Sequence, residues 1–171
     1  VPSGKLTATM PKSVGQIPLY YNHLNTGRPL KEGKWFSKFT SNYLDIDNDP
    51  LYPFGYGLSY TTFKYGKPTL SSNTMTNNET ISVSVDITNT GNYDADEIAQ
   101  MYIRDLAASV SRPVKELKGF ERISIKKGET KTVTFTITPE DLKFYNQELE
   151  YKNEPGEFEV MVGPNSKDVQ T

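Results

Sequence analysis

Apolar and polar residues alternate strictly over residues 81–88. The apolar positions of this segment are Ile81, Val83, Val85 and Ile87. Serine, aspartate and threonine occupy the positions between and after them. Because successive side chains of a β-strand point to opposite faces, this alternation predicts a strand with one buried and one solvated face.

Similar patterns recur along the rest of the chain and indicate about seven short strands. The other clear segments cover residues 63–70, 97–104, 117–125, 130–138 and 157–162. Gly91 and Gly128 lie in the predicted turns between them, and Gly119 predicts a β-bulge. Strands at this spacing, with no long helix, predict an all-β fold: an antiparallel immunoglobulin-like β-sandwich over residues 61–171.

A single helical turn is predicted between the last strands, at residues 138–141. Thr138 is a suitable cap, Pro139 suits the first helical position, and the two acidic residues that follow suit the positive end of a helix. Leu142 or Phe144 is then expected to point into the core.

Residues 1–60 have no sustained period, and this predicts a largely irregular, aromatic-rich segment before the sandwich. Residues 5–10 alternate briefly and predict one short strand. A lone strand is not stable, so its partners are expected in a preceding region. Val1 is not a natural start, so we expect the chain to be a piece of a longer protein.

Residues 51–65, here called the connector, join the two parts. The connector contains six aromatic residues, together with Pro53, Gly55 and Gly57. Proline fixes one backbone angle and glycine allows angles that other residues avoid. Flexible linkers are rich in small polar residues instead, so this composition predicts a bent connector packed through its aromatic rings.

Composition and charge exclude several function classes. The chain has 171 residues, a formal net charge of −2 and no cysteine. Interspersed charges argue against a nucleic-acid partner, and no apolar run is long enough to cross a membrane. Without cysteine there is no disulfide, thiolate nucleophile or cysteine metal site. We expect no cofactor and no resident metal.

Aromatic and polar residues in the N-terminal segment form the candidate site. They are Tyr20, Tyr21, His23, Arg28, Trp35 and Phe36. Aromatic rings stack on the apolar faces of sugars, which would place these residues at the rim of a substrate site. The favoured interpretation of these aromatic residues is instead an interface buried against a neighbouring domain. His23 has no second histidine or cysteine as a partner, so no catalytic role is predicted for it.

Three other polar motifs favour ordinary surface roles. Asp45, Asp47 and Asp49 resemble a calcium loop, but Pro50 and Tyr56 stand where an EF-hand needs glycine and glutamate. The second motif is a charged cluster, which consists of Arg104, Asp105, Arg112, Lys115 and Glu116. A solvated loop with weak ion pairs is favoured for this cluster, and a surface facing a partner is the alternative. Residues 78–80 match a glycosylation sequon.

Three separated stretches resemble one enzyme family. They are PSGKLTATMPKSVGQIPLYYNHLNTGRP, DPLYPFGYGLSYTTF and RPVKELKGFERI. In this order they resemble the C-terminal region of glycoside hydrolase family 3, the β-glucosidase and β-xylosidase family. The resemblance implies that residues 1–60 are the tail of an upstream α/β sandwich domain plus the connector, and that residues 61–171 form a fibronectin type III-like domain.

The resemblance also implies a function. The family hydrolyses O-glycosyl bonds with retention, using carboxylates that lie upstream of this chain, so the chain is expected to be inactive by itself. Its expected partners are the upstream catalytic domains and, through the parent enzyme, an oligosaccharide. A periplasmic or secreted bacterial protein is implied. Two alternatives remain at this stage: a carbohydrate-binding module, and a protein-interaction sandwich.

Overall fold

A computed structural model describes residues 1–31, 34 and 36–171, and its main body is a β-sandwich. One sheet contains β1 (Phe63–Tyr65), β2 (Thr69–Leu70), β3 (Ile81–Asn89) and β6 (Thr130–Ile137). The other sheet contains β4 (Ala95–Asp105), β5 (Glu116–Ile125) and β9 (Phe158–Gly163). A small hairpin consists of β7 (Phe144–Tyr145) and β8 (Tyr151–Lys152). Two short 3-10 turns cover Val14–Gln16 and Pro139–Leu142.

The sandwich confirms the all-β prediction. All strand pairs are antiparallel, and the described residues contain no α-helix. The predicted helical turn after β6 is present at Pro139–Leu142, where the Asp141 carboxylate accepts a hydrogen bond from the Thr138 N–H at 2.8 Å. Phe144 is buried, which confirms one of the two residues expected to point into the core.

In the first sheet, β3 is the central strand. It pairs with β6 on one side and with β1 and then β2 on the other. The single strand predicted over residues 63–70 is wrong in this detail, because the chain leaves the sheet between Tyr65 and Thr69. Pro68 lies in this gap and has no backbone N–H to donate to a ladder, which accounts for the break.

In the second sheet, β4 lies between β5 and β9. Met101 faces Gly119 but the next residue, Tyr102, faces Leu117, so Lys118 is an extra residue in β5. This bulge adjoins the glycine that predicted it. A side chain at Gly119 would lie 3.2 Å from the Phe135 ring in the facing sheet, so the glycine also allows the two sheets to approach.

The core lies between the two sheets and follows the predicted alternation. Its buried members are Val83, Val85, Ile87, Ala99, Met101, Ile103, Ile125, Val133, Phe135, Ile137 and Val162. Full burial of a large apolar side chain contributes about 1.5–3 kcal/mol. On the opposite face of β3, cross-strand hydroxyl pairs such as Ser84 with Thr134 at 3.0 Å face solvent. The strand therefore has the two faces that its sequence predicts.

The N-terminal segment packs along the connector. The Leu6 N–H donates to the Tyr56 carbonyl at 2.8 Å, and the Gly55 N–H donates to the Leu6 carbonyl at 2.8 Å. Met10 forms an isolated bridge with Tyr52. The strand predicted at residues 5–10 is therefore not present as a regular strand, and the expectation of partners in a preceding region stays a prediction. The segment has no regular strand, and these backbone partners lie within the connector.

Gln16 links the irregular loops before the connector. Its side chain is 1% exposed, and its Oε1 accepts a hydrogen bond from the Lys12 N–H at 2.7 Å. Its Nε2 donates to the carbonyls of Asp47 and Asp49 at 3.0 and 3.1 Å. The Lys12 ammonium also binds the Asp47 carboxylate at 2.7 Å, and this hydrogen bond lowers the pKa of Asp47. The acidic loop is thus tied to the preceding turn.

We expect Gln16→Ala to destabilise these loops by about 2–3 kcal/mol, because it leaves buried backbone groups without partners. Hydrogen exchange at the amides of residues 12–49 would measure the loss. Gln147→Ala is the matched control, since Gln147 is exposed. Equal exchange in the two variants would show that Gln16 does not hold the loops.

Candidate functional site

Tyr21 is the candidate residue that the structure brings onto the sandwich. Its ring stacks on Phe54 of the connector, with centroids 4.3 Å apart, and meets Tyr102 of β4 edge-on at 5.8 Å. Its hydroxyl accepts a hydrogen bond from the Leu117 N–H at 3.2 Å. Tyr21 is half-buried by other residues of the chain. Through these contacts it joins the N-terminal segment to the second sheet.

The connector covers the outer face of β4. Gln100 is 3% exposed there, and its Nε2 donates to the carbonyls of Gly55 at 3.1 Å and Pro164 at 2.7 Å. The Tyr102 hydroxyl donates to Gln100 Oε1 at 2.6 Å. Burial raises the pKa of the Tyr102 hydroxyl. These polar side chains have their hydrogen bonds satisfied, as buried polar groups must, so the connector and the sheet form one packed interface.

A buried ion pair fastens the start of the chain to the sandwich. Lys5 Nζ lies 3.0 Å from Glu97 Oε1, and the Glu97 residue is 4% exposed. The Tyr65 hydroxyl donates to the same carboxylate oxygen at 2.9 Å. Burial, and then the Glu97 charge, raise the pKa of Tyr65. Separating the two residues would leave the buried Glu97 charge without a partner, which is costly. The ion pair therefore holds Lys5 against the sandwich.

The other described candidates project from the N-terminal loops. Tyr20 is 50% exposed, Phe36 is 41% exposed, and His23 and Arg28 are also exposed. Trp35 lies outside the described residues. The ring nitrogen Nδ1 of His23 lies 3.0 Å from the Leu24 carbonyl. The structure therefore separates Tyr21, which is packed inside the chain, from a set of more exposed aromatic and cationic residues.

These loops lie against the β4–β5 loop and enclose a cleft with it. Leu24 forms a bridge with Pro113, and the Val114 N–H donates to the His23 carbonyl at 2.9 Å. The cleft has a volume of about 420 Å³ and is lined by Asn25, Gly27 and residues 104–114. A polar cleft and the candidate loop thus share one end of the sandwich.

Three residues of the charged cluster line this cleft: Arg104, Asp105 and Arg112. The interpretation of the cluster as a solvated loop is wrong for Asp105 and Arg112, which are largely buried. Arg112 binds Glu116 at 2.7 Å and its guanidinium lies 4.3 Å from the centre of the Phe144 ring. The side chains of Arg112 and Asp105 are only 17% and 7% exposed. Burial raises the pKa of Asp105, and burial lowers that of Lys115, whose ammonium donates to the Ser166 carbonyl at 2.8 Å.

Metal and membrane sites find no support in the described part of the chain. Over residues 1–31, 34 and 36–171, no group of three or more His, Asp or Glu side chains is placed to hold a metal ion. None of the helices that the structure describes has the length and apolar character needed to span a membrane.

Comparisons with known proteins find similar sequences within longer beta-glucosidases and beta-xylosidases. A fibronectin type III-like domain model matches residues 97–166. A periplasmic beta-glucosidase of Salmonella typhimurium is 56% identical over 169 residues, covering 99% of this chain and 22% of the relative. A putative beta-xylosidase of Formosa agariphila is 50% identical, covering 98% of this chain and 21% of the relative. The chain thus spans about a fifth of the length of these relatives.

Solved structures agree with the sequence relatives. A beta-glucosidase from Listeria innocua superposes with a TM-score of 0.91 at 47% identity, over 99% of this chain and 23% of that one. A mutant of the same enzyme has been solved in complex with laminaribiose. A beta-glucosidase from Kluyveromyces marxianus superposes with a TM-score of 0.62 over 71% of this chain. Both the sandwich and the attached N-terminal segment therefore have counterparts in longer enzymes.

Proposed function

Because this chain belongs to the glycoside hydrolase family 3 β-glucosidases and β-xylosidases and contains their fibronectin type III-like domain, we propose that it is the non-catalytic accessory region of such an enzyme. The parent enzyme would hydrolyse β-glycosidic bonds with retention. In this proposal the sandwich docks on the catalytic domains and holds the N-terminal loops against them.

The observation that carries the proposal is the covered outer face of β4. Gln100 and Tyr102 are buried beneath the connector, and Lys5 is paired with buried Glu97. Such contacts fix the position of the connector on the sandwich. A rigid connector can transmit the position of one domain to the next, whereas a flexible one cannot. We therefore propose that the 1–60 segment serves as the link between the 61–171 sandwich and the catalytic domains.

The exposed candidate residues are proposed to meet those domains or the rim of their substrate site. Tyr20, His23, Arg28 and Phe36 project from the linked loops, and Trp35 belongs to the same stretch of sequence. Exposed aromatic rings and cations of this kind suit either a domain interface or sugar contact. The laminaribiose complex of the Listeria relative supports β-glucosides as the substrate class.

Hydrolysis is assigned to the rest of the enzyme. Retaining hydrolysis requires two carboxyl groups about 5–5.5 Å apart across the scissile bond. The family motifs that carry those carboxylates are not among the stretches of this chain that match the family. We propose that the chain needs no cofactor for its role and that its partners are the catalytic domains of the same polypeptide.

The test is a complementation assay with an aryl β-glucoside. The purified chain should give no hydrolysis, and the separately produced remainder of the enzyme should be weakly active. Mixing the two should raise the rate by about tenfold or more, because correct positioning of catalytic groups has effects of that size. Hydrolysis by the chain alone, or no gain on mixing, would contradict the proposal.

Variants of exposed residues sharpen this assay. Tyr20→Ala with Arg28→Ala should reduce the gain, because both side chains belong to the proposed contact surface. Tyr93→Ala is the matched control, since Tyr93 is 61% exposed on a turn of the sandwich. If all of these variants restore activity equally, the contact surface lies elsewhere.

A further inference from the structure

We propose that the hairpin of β7 and β8 is a binding site for a neutral β-linked glucan chain, separate from the N-terminal candidate site. Its contact residues would be Tyr145, Tyr151 and Leu149, here called the hairpin patch. The choice of a glucan as ligand rests on the proposed function. The binding site itself is argued from the geometry and chemistry of the hairpin.

The two tyrosines form an exposed pair of rings. Tyr145 and Tyr151 are directly opposite each other in the antiparallel register. Their centroids are 5.1 Å apart with an angle of 45° between the ring planes, and their exposed fractions are 67% and 49%. Rings in this arrangement offer apolar surface next to hydroxyl groups, which is the combination that the faces and edges of a sugar require.

The backbone at the tip of the hairpin adds a third apolar contact. Leu149 is 81% exposed and has φ 62°, in the left-handed region that residues with a Cβ seldom adopt. That conformation is strained for an L-residue. A strained backbone that holds a leucine in solvent beside two exposed tyrosines is typical of a functional surface.

The protein holds this small hairpin firmly. Two-stranded hairpins are marginally stable on their own. Here Phe144 and Asn146 are 4% and 3% exposed, and the Arg112 guanidinium lies over the Phe144 ring. Asn146 Oδ1 accepts hydrogen bonds from the N–H groups of Glu148 and Glu150 at 3.0 and 2.9 Å. The patch is therefore preorganised, which lowers the entropy cost of binding.

The charges around the patch favour a neutral ligand. Residues 143–152 contain two lysines and two glutamates, and Glu140, which pairs with Lys143, adds one more negative charge. Lys152 pairs with Glu150, and Lys143 pairs with Glu140 at 2.6 Å. An anionic polymer would find no net attraction here. A glucan chain suits the site because it has no charge, and its hydroxyls can bond to these polar groups.

The small area of the patch also argues against a stable protein partner. A specific protein interface buries about 1,200–2,000 Å² in total, which is far more than two rings and one leucine supply. Sugar binding needs only a few exposed rings, each of which can stack on the apolar face of one sugar unit. Weak single contacts become effective on a polymer that presents many equivalent units.

The test measures retention of the 171-residue chain on insoluble β-1,3-glucan and on cellulose particles. The unmodified chain should bind at least one of these saturably. Tyr145→Ala with Tyr151→Ala should weaken binding by about tenfold, since two stacking contacts are lost. Tyr145→Phe with Tyr151→Phe should keep most of the binding, because the rings remain. Thermal unfolding of each variant would check that the fold is intact.

Two more variants make the assignment specific. Phe120→Ala removes a ring that is 67% exposed on β5, and it should leave binding unchanged. Leu149→Gly should relieve the backbone strain and weaken binding about twofold, without loss of stability. No retention of the unmodified chain, equal retention of the double alanine variant, or a concentration-dependent dimer that the double variant abolishes would each overturn the proposal.

These outcomes are distinct from those of the complementation assay. The double alanine variant should restore hydrolysis of a small aryl glucoside as well as the unmodified chain does, because the proposed contact surface for the catalytic domains lies on the N-terminal loops. Loss of polymer retention with normal complementation supports the hairpin site. Normal retention without complementation would instead contradict the accessory function.

Discussion

Gly55→Ala is expected to destabilise the chain by about 3–5 kcal/mol. Gly55 has φ 78°, and a Cβ there would lie 2.0 Å from Gln100 Oε1. The backbone conformation costs an alanine about 1–2 kcal/mol, and forcing atoms into a packed site costs about 1–3 kcal/mol more. Gln100 must also move away from the Gly55 carbonyl. Urea denaturation of the two proteins measures the difference.

Gly128→Ala is the matched control for this substitution. Gly128 has φ 75°, almost the same backbone conformation, but nothing lies within 4 Å of its would-be Cβ. It should cost only the backbone contribution of about 1–2 kcal/mol. The difference between the two variants therefore reports the packing of the connector on β4. Equal destabilisation would mean that this interface is loose in solution.

Asn89→Ala is expected to reduce the free energy of unfolding by about 3 kcal/mol or more. Asn89 is fully buried at the end of β3. Its Oδ1 accepts from the Thr61 hydroxyl at 2.6 Å, and its Nδ2 donates to the carbonyls of Tyr93 at 2.8 Å and Ile125 at 3.0 Å. Alanine leaves several buried polar groups without a partner, and each costs about 1–3 kcal/mol.

Asn92→Ala serves as the control, because Asn92 is exposed three residues further along the same turn. Its substitution should change stability by less than about 0.5 kcal/mol. Thermal unfolding followed by circular dichroism would compare the two. If the two asparagine variants have the same midpoint, the buried network around residue 89 does not link the connector, the first sheet and the end of β5.

The sandwich was predictable because its strands have one buried and one solvated face. The alternation over residues 81–88 predicts β3, and the structure places Val83, Val85 and Ile87 in the core. Gly119 predicts the bulge in β5 for a similar reason, since glycine in a strand commonly marks irregular pairing. These signals are local, so they can be interpreted from neighbouring residues.

The interface between the connector and the sandwich was only partly predictable from the sequence. The aromatic and glycine content of residues 51–65 predicts a packed connector, which the structure confirms. The sequence did not indicate that Gln100, Tyr102 and Glu97 are buried, because a polar residue in a strand ordinarily marks the solvated face. Their burial depends on residues that lie more than 30 positions away in the sequence. The burial of Arg112 likewise depends on a distant residue, since its guanidinium lies over the Phe144 ring.

The candidate site shows a similar division. Sequence identifies Tyr20, Tyr21, His23 and Arg28 as a group but does not separate them. The structure shows that Tyr21 is committed to contacts within the chain, while the other three remain exposed. The sequence does not predict the hairpin patch, since Tyr145 and Tyr151 become neighbours only after β7 and β8 pair.

The most direct test of the accessory function is calorimetric titration of this chain into the separately produced catalytic remainder of its enzyme. Docking through the exposed N-terminal loops should give saturable one-to-one binding, with a Kd in the micromolar range or tighter and a negative heat-capacity change from buried apolar area. Absence of any binding heat at several temperatures, with both partners folded, would contradict the account.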